Sequence, residues 1–339
     1  MWGHCGKYRK EDEAMDRRLT LIIWILSIFV QPFLVTITRA ADYPIKPIQL
    51  FVGFQAGGAV DTAARIVTNQ VNKYLEQPII VVNKAGGASA VAADFVAKSK
   101  PDGYTLFQST ITTVIHTIVN PDIPFKLSDF LPIAGLYSMP LVIVVKGDSK
   151  LSTVEEFIDF AKKNPKQLNM GIAGINVVHH FAFELFKKEA GIEANPIVFQ
   201  GDPAAVVAVL GGHIDFAFLG LVSAAEHIKQ GTMKGLIVTS SRRAPQFPNI
   251  PTMGEKGFAK GGTIVSWGGV LAPAGTPMAV LNKLSAAYQK ATANPDVVAQ
   301  LEKVGFALAY MNAKDFDHYM KDEQKRLTEI AQSAKMIKK

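Results

Sequence analysis

The sequence predicts an α/β protein of two domains built on largely parallel sheets. Strand-like apolar runs alternate with helix-like runs along most of the chain, the order that gives parallel strands with helices on their faces. The 339 residues, 48% hydrophobic and 19% charged, exceed one small core and suit two domains of roughly 100–200 residues each. Two glycine-rich turns each follow a strand-like run and open a helix.

The first domain opens with a strand over Ile48–Phe54. It enters the turn Phe54-Gln55-Ala56-Gly57-Gly58-Ala59-Val60-Asp61, followed by a helix over Thr62–Leu75 with Asp61 as its N-cap. A second strand, Pro78–Val82, enters Asn83-Lys84-Ala85-Gly86-Gly87-Ala88-Ser89, and Ser89–Lys98 reads as the next helix. Pro101-Asp102-Gly103 then turns the chain into a third strand, Tyr104–Gln108. Glycine permits a tight turn and a close approach of ligand to main-chain N–H groups, and a helix N-terminus adds unpaired donors and partial positive charge. Two such turns on neighbouring strands predict a cradle for an anion, a carboxylate or a phosphate.

A second βα series occupies roughly residues 143–262. Its strands are Leu141–Val145, Asn169–Ala173, Ile197–Phe199, Ile214–Leu219 and Leu236–Thr239. Its helices are Val154–Asn164 (capped by Ser152 or Thr153), Val178–Ala190, Pro203–Leu210 and Ser223–Gln230. Ile264–Leu271 returns as a strand, and helices over Met278–Ala293 and from Ala313 towards Lys335 close the chain.

The N-terminus predicts export. Arg17-Arg18 precede an apolar run from Leu19 to Val35, and Thr38-Arg39-Ala40 offers small residues at cleavage spacing. Residues 1–40 therefore read as a secretory signal peptide, with residues 1–14 a misannotated extension if Met15 is the true start. An uncleaved anchor is the competing reading, at about the short limit for a membrane span. The only cysteine, Cys5, lies in the removed segment, which excludes disulfides, cysteine catalysis and thiolate metal sites from the mature chain. The net charge of +7 is spread along the chain, without the basic stripe that nucleic acid would require. Gly57-Gly58 lacks the Gly-Lys-Ser/Thr of a phosphate-binding loop and the spacing of dinucleotide folds, and no Gly-x-Ser-x-Gly elbow is present. No cofactor and no metal are expected.

The order of motifs resembles the solute-binding proteins of tripartite tricarboxylate transporters, the Bug-type receptors, over about 42–335. The resemblance rests on Tyr43-Pro44-Ile45-Lys46-Pro47-Ile48, Gly57-Gly58-x-x-Asp61 and Gln77-Pro78-Ile79-Ile80-Val81-Val82-Asn83-Lys84. It continues through Pro101-Asp102-Gly103-Tyr104-Thr105-Leu106, Leu210-Gly211-Gly212-His213-Ile214-Asp215 and Val238-Thr239-Ser240-Ser241-Arg242-Arg243. Phe247-Pro248-Asn249-Ile250-Pro251-Thr252 and Leu271-Ala272-Pro273-Ala274-Gly275-Thr276-Pro277 complete it. It implies a two-lobed periplasmic-binding-protein (Venus-flytrap) fold, two α/β domains joined by a two-strand hinge, with lobe 1 over 42–142 plus 263–339 and lobe 2 over 143–262. It implies a monomeric periplasmic receptor that is not an enzyme. Its partners would be a small carboxylate ligand and either transporter subunits or a membrane sensor kinase. An exported enzyme acting on organic acids is a further alternative.

The expected ligand contacts follow. In lobe 1 they are Phe54, Gln55, Ala56, Gly57, Gly58, Ala59, Val60, Asp61, Lys84, Gly86, Gly87, Ala88, Ser89 and Thr110. In lobe 2 they are Ala173, Asn176, His180, Phe199, Gly201, Asp202 and Leu219. Gln55 and Lys84 read equally as ligand donors or as solvated side chains, and His180 as a cleft group or a structural histidine. Where the family loop is rich in Ser, Asn and Gly, this chain has Ala173-Gly174-Ile175-Asn176-Val177-Val178-His179-His180. Where relatives often have Tyr-Lys-Gly and Asp-Asn, it has Phe199-Gln200-Gly201 and Leu219-Gly220. Each change removes charge or donors from the expected wall, so the ligand is expected to be less polar than citrate, with one carboxylate and a more apolar body.

Overall fold

The computed structural model describes residues 43–199, 201–258 and 264–337, and the expected export signal lies outside them. β1 (Ile48–Val52) is buried except at Gln49, as an interior strand requires, and leads into α1 (Ala59–Val71). β2 (Ile79–Asn83), α2 (Ala90–Ala97), β3 (Thr105–Thr110), α3 (Ile111–Val119) and β4 (Phe130–Met139) follow. After Pro140 the chain continues directly as β5 (Leu141–Lys146), then α4 (Val154–Lys163), β6 (Asn169–Ile172), α5 (Val178–Ala190) and β7 (Asn195–Val198). Next come α6 (Asp202–Leu210), β8 (Phe216–Gly220), α7 (Leu221–Lys229) and β9 (Met233–Val238). β10 (Ser266–Pro273), α8 (Met278–Thr292), α9 (Pro295–Lys303), β11 (Ala307–Asn312) and α10 (Ala313–Ser333) complete the described chain.

The strands form two sheets, ordered β11-β4-β10-β3-β1-β2 and β7-β6-β8-β5-β9. Both are mixed rather than largely parallel. The βα series gives the parallel pairs: β1 with β2 and β3, and β6 with β7 and β8. β10 runs antiparallel to β3 and β4, and β5 antiparallel to β8 and β9. These are the strands at which the chain passes between the sheets. Met139-Pro140-Leu141 carries it across, and Ser266 marks the return. Met139 pairs with Ser266, and Ser138 with Trp267, so the two crossings lie side by side as a two-strand hinge.

One apolar cluster includes residues of both sheets, among them Phe107 and Trp267 of the first and Phe216 and Phe218 of the second. α1 and α8 place Ala63, Val67, Leu284 and Tyr288 on Ile48, Leu50 and Val52. In the second sheet's layer, Phe157 meets Phe216 edge-on at 4.7 Å and Phe186 meets Phe218 at 6.0 Å. Each buried phenylalanine contributes roughly 1.5–3 kcal/mol.

Two local readings need correction. α1 begins at Ala59 with Gly58 as N-cap, so Asp61 lies in its first turn rather than at the cap. The carboxylate instead reaches back over the turn to accept from Gly57 N at 2.8 Å. Ser89 is the N-cap of α2 rather than its first residue, and it has left-handed geometry. The expected cap of α4 is Thr153: its hydroxyl accepts from Glu156 N, and Glu156 accepts from Thr153 N, each at 3.2 Å.

Candidate ligand-binding site

Five helices begin around one cavity of about 690 Å³ between the two sheets. From the first-sheet side it is lined by Gly58 and Ala59 at the start of α1, and by Thr110 and Thr112 at the start of α3. From the second-sheet side come Val177 and Val178 at α5, Gly201 and Asp202 at α6, and Val222 and Ser223 at α7. The capping residues of α1, α5, α6 and α7 are Gly58, Val177, Gly201 and Gly220, which carry no side-chain acceptor. At α1 and α5 this leaves the first-turn partial positive charge without a side-chain cap; at α6 and α7 Asp202 meets it, accepting from Gly220 N, and Leu221 N is bonded to Pro140 O. The rest of the wall is mostly apolar: Phe54, Val60, Met139, Ala173, Pro203, Val304 and Phe306. Among the described residues, no lysine or arginine lines it.

The one charged cluster in the wall belongs to the second sheet's helices. Asp202 Oδ2 accepts from Gly220 N at 2.9 Å and Ser223 Oγ at 2.8 Å. Its Oδ1 lies 3.2 Å from His179 Nε2. Burial pushes the Asp202 carboxyl up, but the His179 charge and the hydrogen bonds from His179, Ser223 and Gly220 outweigh it. The group is held below the usual carboxylate range and stays ionised. Ser223 bonds to Asp202 rather than to the imidazole, so the trio lacks the serine–histidine contact that activates a nucleophile. No group of three His, Cys, Asp or Glu residues is placed to hold a metal among the described residues.

The structure brings part of the expected site together. Phe54, Gln55, Gly57, Gly58, Ala59, Val60, Thr110, Ala173, Gly201 and Asp202 line the cavity. Ala56 is exposed on the same turn, outside the lining. Asp61 lies buried beneath that turn and locks it: Oδ2 accepts from Gly57 N and from Arg65 Nε at 2.9 Å, and Oδ1 from Asn83 Nδ2 at 2.8 Å. The second turn, with Lys84, Gly86, Gly87, Ala88 and Ser89, is outside the cavity lining. β2 is the edge strand, and the crossings β4 and β10 sit on the other side of β1 and β3. The second turn instead backs the first. Asn83 Nδ2 donates to Phe54 O at 3.1 Å, and Ser89 fills the space that a side chain at Gly53 would need. Gly86, Gly87, Ala88 and Ser89 all have positive φ, so this support is a strained loop.

On the second-sheet side, Asn176 and His180 hold the loop before α5. Asn176 N donates to His180 Nδ1 at 3.3 Å, Asn176 has φ +58, and neither residue lines the cavity. Burial, chiefly, lowers the His180 pKa. Phe199 packs on Gly171, and Leu219 is fully buried with Val142 and Val144. The lining also includes Thr62, Thr112, Met139, Val177, Val178, His179, Pro203, Val222, Ser223, Ser266, Val304 and Phe306, outside the expected set. The apolar stretch Val177-Val178 carries a sequence signal. Met139, Ser266, Val304 and Phe306 have none, because they arrive through the crossings and β11.

A model of the tripartite tricarboxylate transporter family receptor matches residues 63–336. The chain belongs to this receptor family. BugT of Bordetella pertussis is 32% identical to this receptor over 285 residues, 83% of this chain and 87% of that protein. The solved periplasmic binding protein BugD superposes with a TM-score of 0.76 at 26% identity, covering 88% of this receptor and 100% of that chain. MatC from Rhodopseudomonas palustris, with bound malate, gives a TM-score of 0.73 at 27% identity, covering 85% and 99%. Family and fold are those of solute-binding receptors. In this receptor no helix among the described residues is long and apolar enough to cross a membrane.

Proposed function

We propose that this receptor is exported to the periplasm and captures a small monocarboxylic acid with a largely apolar body, less polar than citrate, for the membrane subunits of a tripartite transporter. The chemistry of the cavity carries this reading: converging helix N-termini, hydroxyls at Thr110 and Thr112, and an apolar wall with no lysine or arginine among the described residues. The carboxylate sits against the starts of α1 and α3, where N–H groups and dipoles favour one anion without a side-chain cation. Asp61, in the first turn of α1, is neutralised by Arg65, and the first turn of α3 holds no acid. A tri-acid would bring three negative charges beside ionised Asp202, with His179 as the one basic side chain in the wall. Burying that charge unpaired is costly. The malate in MatC supports a carboxylate as the class of ligand.

The lobes are taken as 42–142 with 263–339, and 143–262, hinged at Met139–Leu141 and at the return before Ser266. A thermal-shift and calorimetric panel tests the reading. Benzoate and hexanoate raise the melting temperature and citrate does not; saturation at 100 times Kd adds about 2.7 kcal/mol of apparent stability. Citrate binding tighter than both monocarboxylates overturns it.

A further inference from the structure

Most of the apolar cavity wall is made of side chains with little freedom to move. Val60, Val177, Val178, Val222 and Val304 are branched at Cβ, and Pro203 is a closed ring. Met139 is the exception: it lines the same wall, is 9% exposed, and is the one long unbranched apolar side chain among the described lining residues. Three rotatable bonds and a polarisable sulfur let a methionine fit an irregular gap. Its backbone is the last residue of β4 and pairs with Ser266, where the chain crosses between the sheets.

The end of the Met139 side chain lies against Gly220, the N-cap of α7, which is not itself in the cavity lining. A Cβ on Gly220 would fall 3.0 Å from Met139 Cε, 3.2 Å from Met139 Sδ and 3.0 Å from Asp202 Oδ2, closer than ordinary van der Waals contact. Asp202 is not free to give way, because Oδ2 accepts from Gly220 N at 2.9 Å and from Ser223 Oγ at 2.8 Å. Gly220 has φ −58 and ψ 134, extended backbone that asks for no glycine. What the missing side chain provides is room for the methionine's end.

We propose that Met139 is the size-determining residue of the site: its thioether rests in the room left by Gly220 and bounds the volume open to the body of the acid. The inference rests on the reading of this cavity as a carboxylate site and adds which residue limits the ligand's size. With the carboxylate at the starts of α1 and α3, a longer body must displace the one part of the apolar wall able to move. Gly220 then sets how far that part retracts. Each methylene accepted or refused changes affinity about 4-fold through transfer from water alone.

Calorimetry of the processed protein with butanoate, hexanoate, octanoate and decanoate tests this. Native affinity is expected to rise along the series to a maximum and then fall. Met139→Ala moves the maximum at least one acid longer, and the first acid past the native maximum binds about 10-fold tighter. Met139→Val, a smaller truncation better suited to a strand, shifts it the same way by less and guards against loss of folding. Gly220→Ala pushes the thioether into the cavity and weakens the longest acid accepted about 5-fold more than butanoate. Adding Met139→Ala to it removes that difference, a coupling read from the double-mutant cycle. A maximum left in place by both Met139 variants, or native affinity that climbs through decanoate, overturns the inference and leaves the receptor reading standing. Equal loss for every acid in Gly220→Ala, unrelieved by Met139→Ala, shows that the change acts through Asp202 and overturns the part given to Gly220. Binding of none of the four acids by the native protein overturns the carboxylate reading together with the inference.

Discussion

Asp61 shows how one carboxylate sets the shape of a binding turn without touching the ligand space. Burial raises its pKa, but hydrogen bonds from Arg65, Gly57 and Asn83 and the Arg65 charge outweigh that, holding it below the usual carboxylate range. The folded state therefore favours the ionised form. Its stabilisation is full above the unfolded value and is lost as pH falls through the lower folded value. Asp61→Asn is expected to cost about 1–3 kcal/mol at neutral pH and to flatten the acid side of the stability profile, read by urea unfolding from pH 7 down to about pH 3. An unchanged acid limb would show that Asp61 does not bear the load. At this scale the first turn is legible because its signal is local: a strand, two glycines and an acid at fixed spacing. The role of Asp61 is less so, since Asn83, which meets its Oδ1, comes from another strand.

Among elements, the five convergent helices define the site, and not all are visible in sequence. α3 opens with the run Ile111-Thr112-Thr113-Val114-Ile115, whose β-branched residues resist a helical reading. Packing decides it, because all five are buried. β11 follows Gly305 and runs antiparallel to β4, a non-local pairing that no periodicity announces. Gly305 also makes a contact between elements of the two sheets. It has φ +83, and a Cβ there would fall 2.9 Å from Val222 Cγ2 and 3.1 Å from Val222 Cα. Gly305→Ala is therefore expected to hold α7 away from the first-sheet side and weaken ligand binding about 10-fold. Gly212→Ala is the control, with φ +70 and nothing within 4 Å. Both variants should lose about 1 kcal/mol of stability from the backbone, and only the first should lose affinity. Equal dissociation constants would show that the Val222 contact is not part of closure.

For the whole molecule, the alternation of strands and helices is legible, and the order of strands is not. That order puts β2 at an edge and β10 in the middle, which removes the second glycine turn from the cavity and brings in Ser266. The hinge carries its own reporter. The tryptophans are Trp2, Trp24 and Trp267, so a chain cleaved after Ala40, as the proposed export requires, would keep only Trp267. It pairs with Ser138 at the crossing and lies edge-on to Phe316 at 5.4 Å and Tyr319 at 5.9 Å. Ligand is expected to change its emission intensity, with little wavelength shift because the ring is 2% exposed. A titration that saturates by calorimetry with constant fluorescence would place the motion elsewhere.

The lack of lysine and arginine in the cavity wall, among the described residues, separates how an acid arrives from how it stays. Without residues 1–40, which hold six basic and four acidic residues, the chain carries a net charge of +5; that excess draws an anion from a distance, and salt screens the field over about 8–10 Å. In the proposed site, an acid once inside would be held by N–H dipoles and hydroxyls at contact range, which dissolved ions do not reach. Raising ionic strength should therefore slow capture and leave residence time almost unchanged.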